Sequence, residues 1–160
     1  KEEWEVIDTK SFNAACKQEG VLEKHKKHLS RFVAQELEEI KAERRKWKGA
    51  ASFSSKLKCL VYLNWLLKFL EMRAIHKESE KLCEEMRMPQ NVLKTILSRF
   101  FIASNRDQEE KVVYVKNSML TDKLICYILV LALFYGDFEV DATTLIANMK
   151  IEPRRYSLLF

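Results

Sequence analysis

The sequence predicts a mainly α-helical protein with small β-wings, and three observations favour this class. The 160 residues include only three glycines and two prolines, too few for a turn-rich β fold. Charged residues make up 32% of the chain and apolar residues 48%, a balance typical of amphipathic helices. Extended β-branched segments are short, and the clearest is Val112–Val115. The length allows one large or two small domains, each with its own core.

The first part of the chain predicts a helical extension followed by a linker. Asp8 or Thr9 can cap a helix that runs toward Gly20. A second, largely helical stretch extends from Leu22 to Lys48, with apolar residues on one side. The small and polar residues from Gly49 to Ser55 predict the linker.

The middle of the chain has the element order of a winged helix, a helix-turn-helix variant. A long apolar helix from Lys56 to about Ile75 is followed by a short helix, Ser79–Met86. Pro89 suits the first position of the next helix, where its missing N–H costs nothing. The turn-like stretch Ser104–Lys111 and the β-branched run Val112–Val115 then predict a hairpin. This order predicts a first winged helix at residues 56–117.

The helix that Pro89 begins has the two faces that a DNA recognition helix needs. Leu93, Ile96 and Phe100 belong to an apolar stripe at helical spacing, which should face the core. The opposite side combines small hydrogen-bonding groups, which can approach base edges, with cations that can neutralise phosphates. An ordinary solvated helix face has the same pattern, and this segment alone does not separate the two interpretations. The candidate DNA-binding residues are Asn91, Lys94, Thr95, Ser98 and Arg99.

A second cationic cluster surrounds Trp47. Arginine and lysine next to a tryptophan can hold phosphates and stack on bases. The same residues also fit a helix C-terminus, where cations complement the helix dipole and the following Gly49 caps the end. Both interpretations stay open for this cluster, which consists of Arg44, Arg45, Lys46 and Lys48.

The net charge of +5 is unevenly distributed. Residues 56–118 include 12 basic and 8 acidic side chains, whereas residues 119–160 include 4 and 5. Strong duplex binders concentrate more cations than this on one face. The charge distribution therefore permits binding to double-stranded DNA without requiring it.

The end of the chain repeats the element order of the middle. Ser118 or Thr121 can cap a long helix that ends at Tyr135, and Phe138–Val140 is a short extended segment. A further short helix follows, and Pro153 begins another. A second winged helix, cut short at its C-terminus, is therefore predicted at residues 118–160, after an N-terminal helical extension and linker at residues 1–55.

Other classes of protein find little support in the sequence. The longest apolar run, Leu124–Tyr135, is too short for a membrane span and predicts a buried core helix. The four cysteines are scattered singly, so we expect neither a zinc site nor a disulfide framework, and no cofactor. The chain has no glycine-rich phosphate loop and no nucleophile motif. An enzyme acting on a small-molecule substrate is therefore not expected.

Two regions of the sequence resemble a known family. Tyr62–Phe69 is similar to that family's first long helix, and Lys123–Leu133 is similar to a later one. The match continues through Gly136–Asp141, Leu145 and Met149–Ile151. Together these segments resemble the C-terminal region of the forty-nine-kilodalton subunit of RNA polymerase I, known in animals as a polymerase-associated factor.

The resemblance, which is strongest over residues 56–160, implies a tandem winged-helix module related to that of the general transcription factor TFIIE. It implies a protein of the nucleus and nucleolus that contacts promoter or upstream DNA and supports initiation and elongation on ribosomal RNA genes. The implied partners are double-stranded DNA, other RNA polymerase I subunits and an initiation factor. The family's DNA contacts would map to Lys94, Arg99, Arg106, Lys111 and Lys116 in the first unit, and to Lys150, Arg154 and Arg155 in the second.

A protein-interaction winged helix is the main alternative to DNA binding. Such a scaffold uses the same fold to bury a helix face against a protein partner within a large assembly. An apolar or acidic recognition face would favour it, whereas the polar and cationic face at Lys94 and Arg99 favours DNA.

Overall fold

The computed structural model describes residues 4, 6–42, 50–76, 79–104, 112–136 and 142–150. A single 3₁₀ turn, Lys26–His28, continues the second helix. The described α-helices are α1 (Lys10–Lys17), α2 (Val21–His25), α3 (Arg31–Lys41), α4 (Ala50–Glu71), α5 (Ser79–Met86), α6 (Gln90–Phe100), α7 (Ser118–Tyr135) and α8 (Ala142–Met149), and the strands are β1 (Ala74–Ile75), β2 (Ile102–Ser104) and β3 (Val113–Val115).

The three strands form one antiparallel sheet with the spatial order β1-β3-β2. Tyr114 in the central strand lies opposite Ile75 on one side and Ala103 on the other. The prediction of a mainly α-helical chain with a small β component is therefore confirmed. β1 was not predicted, because no glycine, proline or other turn residue before Ala74 and Ile75 shows where the preceding helix ends.

The predicted linker is wrong for residues 50–55, which form the first turns of α4. Alanine has the highest helix propensity of any residue, so Ala50 and Ala51 favour a helix over a flexible connection. At its other end α4 ends at Glu71, before the predicted Ile75. The rest of the predicted linker, Gly49, lies outside the described residues.

The predicted helical stretch after Leu22 is interrupted at Leu29 and Ser30. Ser30 caps α3 by accepting a hydrogen bond from the Val33 amide. Its own buried amide donates to Asn64 Oδ1 of α4 at 2.8 Å. The Phe32 amide donates to Asn148 Oδ1 of α8 at 2.7 Å. Two side chains that are distant in sequence therefore satisfy the amide of the α3 cap and the amide of the second residue of α3.

Replacing Asn64 by alanine should lower the free energy of unfolding by about 1–3 kcal/mol, because the buried Ser30 amide loses its acceptor. Chemical denaturation followed by circular dichroism measures the change. Asn64→Asp, which keeps an acceptor oxygen, serves as the matched control and should retain most of the stability. Equal stabilities for Asn64→Ala and the parent chain would contradict this assignment.

The core is one hydrophobic cluster shared by the three predicted segments of the chain. The long helices α4 and α7 pack together at its centre, and α8 packs against α3 and α4. Tyr135 Oη donates to the buried Glu36 carboxylate at 2.8 Å, and Lys56 Nζ donates to the Phe134 carbonyl at 2.9 Å. The N-terminal helices are thus part of the same core, and the boundaries at residues 55 and 117 stay predictions.

Helix α7 begins one residue after its cap, Asn117, whose side chain accepts a hydrogen bond from the Leu120 amide. The predicted caps, Ser118 and Thr121, lie inside the helix instead. Asparagine is as strong a cap as serine, so a choice among Asn117, Ser118 and Thr121 could not be made from sequence. The Thr121 hydroxyl instead donates to the Asn117 carbonyl at 2.9 Å.

Helix α7 is buried on only one side, so the prediction of a buried core helix is half right. Leu124 and Ile128 are fully buried against the core. Met119 is 71% exposed, Val130 is 53% exposed and Phe134 is 59% exposed. By length and hydropathy alone, α7 as a whole is the one helix in the described ranges that is long and apolar enough to cross a membrane, a test that core helices also pass, whereas the apolar run Leu124–Tyr135 within it is shorter than a span.

Candidate nucleic-acid interface

The α5–α6 turn sets the direction of the candidate recognition helix. Arg87 ends α5 with a positive φ of 51°, and the Met88 amide donates to the Cys83 carbonyl at 2.9 Å. Pro89 precedes the first residue of α6 and does not occupy the predicted first helical position, although its φ of −62° suits the entry to a helix. Trp65 Nε1 of α4 donates to the Met86 carbonyl at 2.9 Å. The turn is therefore fixed to the long central helix.

The two predicted faces of α6 are present. Leu93, Ile96, Leu97 and Phe100 are buried. Lys94 and Arg99 are exposed on the other side, together with Asn91 and Ser98, and Thr95 is half-buried. We call the surface formed by Asn91, Lys94, Thr95, Ser98 and Arg99 the polar face of α6.

The hydroxyl groups on the polar face of α6 donate to the helix's own backbone. Thr95 Oγ1 donates to the Asn91 carbonyl at 3.0 Å, and Ser98 Oγ donates to the Thr95 carbonyl at 2.9 Å. Each hydroxyl oxygen keeps its capacity to accept a hydrogen bond, but its proton is already used. The charged side chains of Lys94 and Arg99 are therefore the better donors for phosphate oxygens.

Lys123 of α7 extends this cationic region, and sequence analysis missed it. Its Nζ donates to the Arg99 carbonyl at the end of α6, at 3.1 Å, and lies 5.7 Å from the centre of the Phe100 ring. The side chain is exposed, so the ammonium lies at the surface next to Arg99. The sequence offered one signal for this role, a single cation in an apolar helix. That Lys123 lies beside Arg99 is shown only by the packing of α7 against α6.

Lys116 is turned toward the interior. Its Nζ donates to the carbonyls of Phe69 and Leu70 near the end of α4, at 2.7 and 2.8 Å. It also lies 5.5 Å from the centre of the Phe101 ring. These contacts assign Lys116 a structural role at the base of the sheet, and its predicted contact with DNA is not supported by its orientation.

Burial lowers the pKa of Lys116 from its usual 10.5 to about 8. Because the unfolded chain binds this proton up to higher pH, the contribution of Lys116 to stability should rise as pH increases from about 8 to 10.5. The rise should be about 1–2 kcal/mol, since the side chain is only half-buried and solvent screens it. Denaturation of the parent chain and of Lys116→Met across this range measures the difference.

The comparison with Lys116→Met is needed because buried thiols titrate over much of the same pH range and change the stability in the opposite direction. Burial raises the pKa of Cys16 and of Cys59 to about 11, so their contribution to stability falls as pH rises above the unfolded value of 9.0. If the free energy of unfolding changed with pH in the same way for Lys116→Met and for the parent chain, this result would contradict the burial of the Lys116 ammonium.

The remaining candidate residues lie apart from the polar face of α6 or outside the described residues. Lys150 is exposed at the end of α8 with a φ of 53°. Helix α8 packs against α3 and α4, so Lys150 belongs to a different part of the surface. The predicted strand at residues 138–140 and the helix predicted to begin at Pro153 are not described. The candidates outside the described residues are Arg44, Arg45, Lys46, Lys48, Arg106, Lys111, Arg154 and Arg155.

The described residues contain no group of three or more histidine, cysteine or acidic side chains that could hold a metal ion. What they do contain is a helix held by its apolar stripe, with a polar and cationic face directed outward, next to a small antiparallel sheet. Fold and surface together define a mainly helical α+β domain with a candidate nucleic-acid interface.

Residues 1–160 match the family described as A49-like RNA polymerase I associated factor, and the chain belongs to this family. One curated relative that it matches is DNA-directed RNA polymerase I subunit RPA49 of Saccharomyces cerevisiae. The two are 29% identical over 136 residues, which cover 82% of this chain and 30% of the yeast protein. The chain thus spans about a third of the length of that relative.

Proposed function

We propose that residues 56–117 form a winged helix and that residues 118–160 belong to a second one. The order of α4, β1, α5, α6, β2 and β3 supports the first unit, as does the placement of β3 between β1 and β2. The long helix α7 and the short helix α8 supply the first two helices of the second unit. The tandem arrangement rests on this repeated order and on the resemblance to the TFIIE-like module.

We infer that this chain is a non-catalytic, DNA-contacting part of an RNA polymerase I subunit. It would act in the nucleus and nucleolus, supporting initiation and elongation of ribosomal RNA transcription. The name of the yeast relative supports the assignment to RNA polymerase I. The partners in this proposal are double-stranded DNA, other subunits of the polymerase and an initiation factor.

The observation that carries the DNA-contacting role is the division of α6 into a buried stripe and an outward polar face. Lys94 and Arg99 would neutralise phosphates, and Lys123 lies close enough to Arg99 to take part. Because only a few cations are involved, the contact would be weak and largely independent of sequence. Base-edge contacts would be secondary, since Thr95 and Ser98 already donate their protons to the helix backbone.

Fluorescence anisotropy of a labelled duplex, titrated with the protein at low and near-physiological salt, tests this proposal. Affinity that falls with salt and is similar for unrelated sequences would support contact through phosphates. A protein that binds no duplex even at low salt would instead favour the alternative, a winged-helix interaction scaffold within a large complex. The exposed apolar side of α7 is the observation that favours this second candidate.

A further inference from the structure

The exposed side of α7 forms a continuous apolar stripe. Its residues follow the spacing i, i+4, i+7, i+8, i+11 and i+14, so they lie along one side of the helix. Lys123 is the one charged residue among them. We call this surface the outer face of α7; it consists of Met119, Lys123, Cys126, Tyr127, Val130 and Leu133.

The outer face is large enough to need an explanation. From their exposed fractions, its four large apolar residues together present roughly 400 Å² to solvent, within the range of the largest patch on a typical monomer, which is often a functional surface. A stable protein interface needs about 800 Å² from each partner, so this stripe could supply half of one. The stripe is about 20 Å long and one helix wide, dimensions that suit packing against another helix.

The charge around the outer face is positive at one end. Lys123 lies on the face, and its contact with the Arg99 carbonyl places it beside a second exposed cation. The six residues of the face include no acid, and the acid at its edge, Asp122, is half-buried and already has an interaction of its own. A partner with a carboxylate near this end would form a charge-assisted contact, whereas a cation there would be repelled.

We propose that the outer face of α7 is the surface on which a protein of the RNA polymerase I assembly docks. The partner is an amphipathic helix with an apolar side and a carboxylate near the end that meets Lys123. This inference rests on the association with the polymerase proposed above, but it does not depend on DNA binding. The two surfaces meet at Lys123, whose contact with the Arg99 carbonyl joins the hydrophilic polar face of α6 to the apolar outer face of α7.

Cys126 provides the first test, because it is exposed on the outer face while the other three cysteines are buried. N-ethylmaleimide alkylation of the Cys126 peptide, followed by mass spectrometry, reports whether the face is covered. In the full-length protein, Cys126 should react quickly when the protein is free and about tenfold or more slowly when it is assembled on RNA polymerase I. Added anionic lipid vesicles should leave the rate for the free protein unchanged.

Four results would overturn the proposal. Slow alkylation in the free protein would mean that the chain covers this face itself. Protection by vesicles alone would mean that the face binds lipid. Fast alkylation within the assembled polymerase would mean that the face has no protein partner there, while leaving the proposed function intact. A protein that does not join the polymerase at all would overturn both proposals.

A charge placed on the outer face gives an independent test. Val130→Asp, at the centre of the face, should weaken assembly of the full-length protein on the polymerase by about 10- to 100-fold. Ala147→Asp, at an exposed position of α8, adds the same charge away from the face and should assemble normally. Equal assembly of the two variants, both folded by circular dichroism, would contradict the docking surface.

Discussion

Replacing Ile128 by aspartate should unfold the protein. Ile128 is completely buried in α7, where this helix packs against α4. An aspartate there would place an unpaired carboxylate in the shared core, at a cost of about 4 kcal/mol or more, comparable to the whole stability of many small domains. Circular dichroism and chemical denaturation should show loss of the cooperative transition.

Val130→Asp is the matched control for this change, because it adds the same charge two residues away on the exposed side of α7. It should alter the free energy of unfolding by less than about 1 kcal/mol. Leu129, which is half-buried, should give an intermediate result when replaced by aspartate. If Ile128→Asp and Val130→Asp were equally stable, the orientation of α7 described above would be incorrect.

Reversing the charge of Lys94 and Arg99 together should weaken duplex binding by about 10- to 100-fold, because two phosphate contacts become repulsive. The loss should be similar for unrelated sequences, and the dependence of log affinity on log salt concentration should become shallower by about 2. Anisotropy titrations of Lys94→Glu/Arg99→Glu at several salt concentrations measure both quantities.

The control for this experiment must change the net charge equally without touching α6. Lys24 and Lys41 are exposed on the N-terminal helices, so Lys24→Glu/Lys41→Glu meets this requirement. A loss of duplex affinity confined to the α6 variant would place the DNA contact on the polar face of α6. Equal losses in both variants would show that only the overall charge matters, and unchanged binding would exclude the polar face from the contact.

Short amphipathic elements were the part of the fold that could be predicted best. The buried side of α6 and the place where it begins follow from local signals, namely a proline at the helix entry and apolar residues at helical spacing. The same signals led to the polar face of α6, because a helix whose stripe is buried must direct its other side outward.

The long apolar helices were harder to predict, because their composition hides both their ends and their orientation. Helix α7 is apolar on nearly every side, so sequence alone could not show that Val130 is exposed while Ile128 is buried. Where α4 begins and ends was likewise not marked by a strong signal at Ala50 or Glu71.

The roles of the lysines depend on tertiary contacts that no local pattern records. Lys116 stands beside a predicted hairpin, where an exposed cation was the natural expectation, yet it donates to carbonyls about 46 residues earlier in the chain. Lys123 gained its place beside Arg99 in the same way, through the packing of two helices. Side-chain direction in such cases is decided by neighbours that are remote in sequence.

Lys116 and Lys123 also connect the start of α7 to two other helices. Lys116 binds the end of α4 and Lys123 binds the end of α6, so one short segment at the start of α7 is fastened to both helices. If α6 contacts DNA and the outer face of α7 contacts the polymerase, as proposed above, the segment from Lys116 to Lys123 would influence how these two contacts are oriented relative to each other.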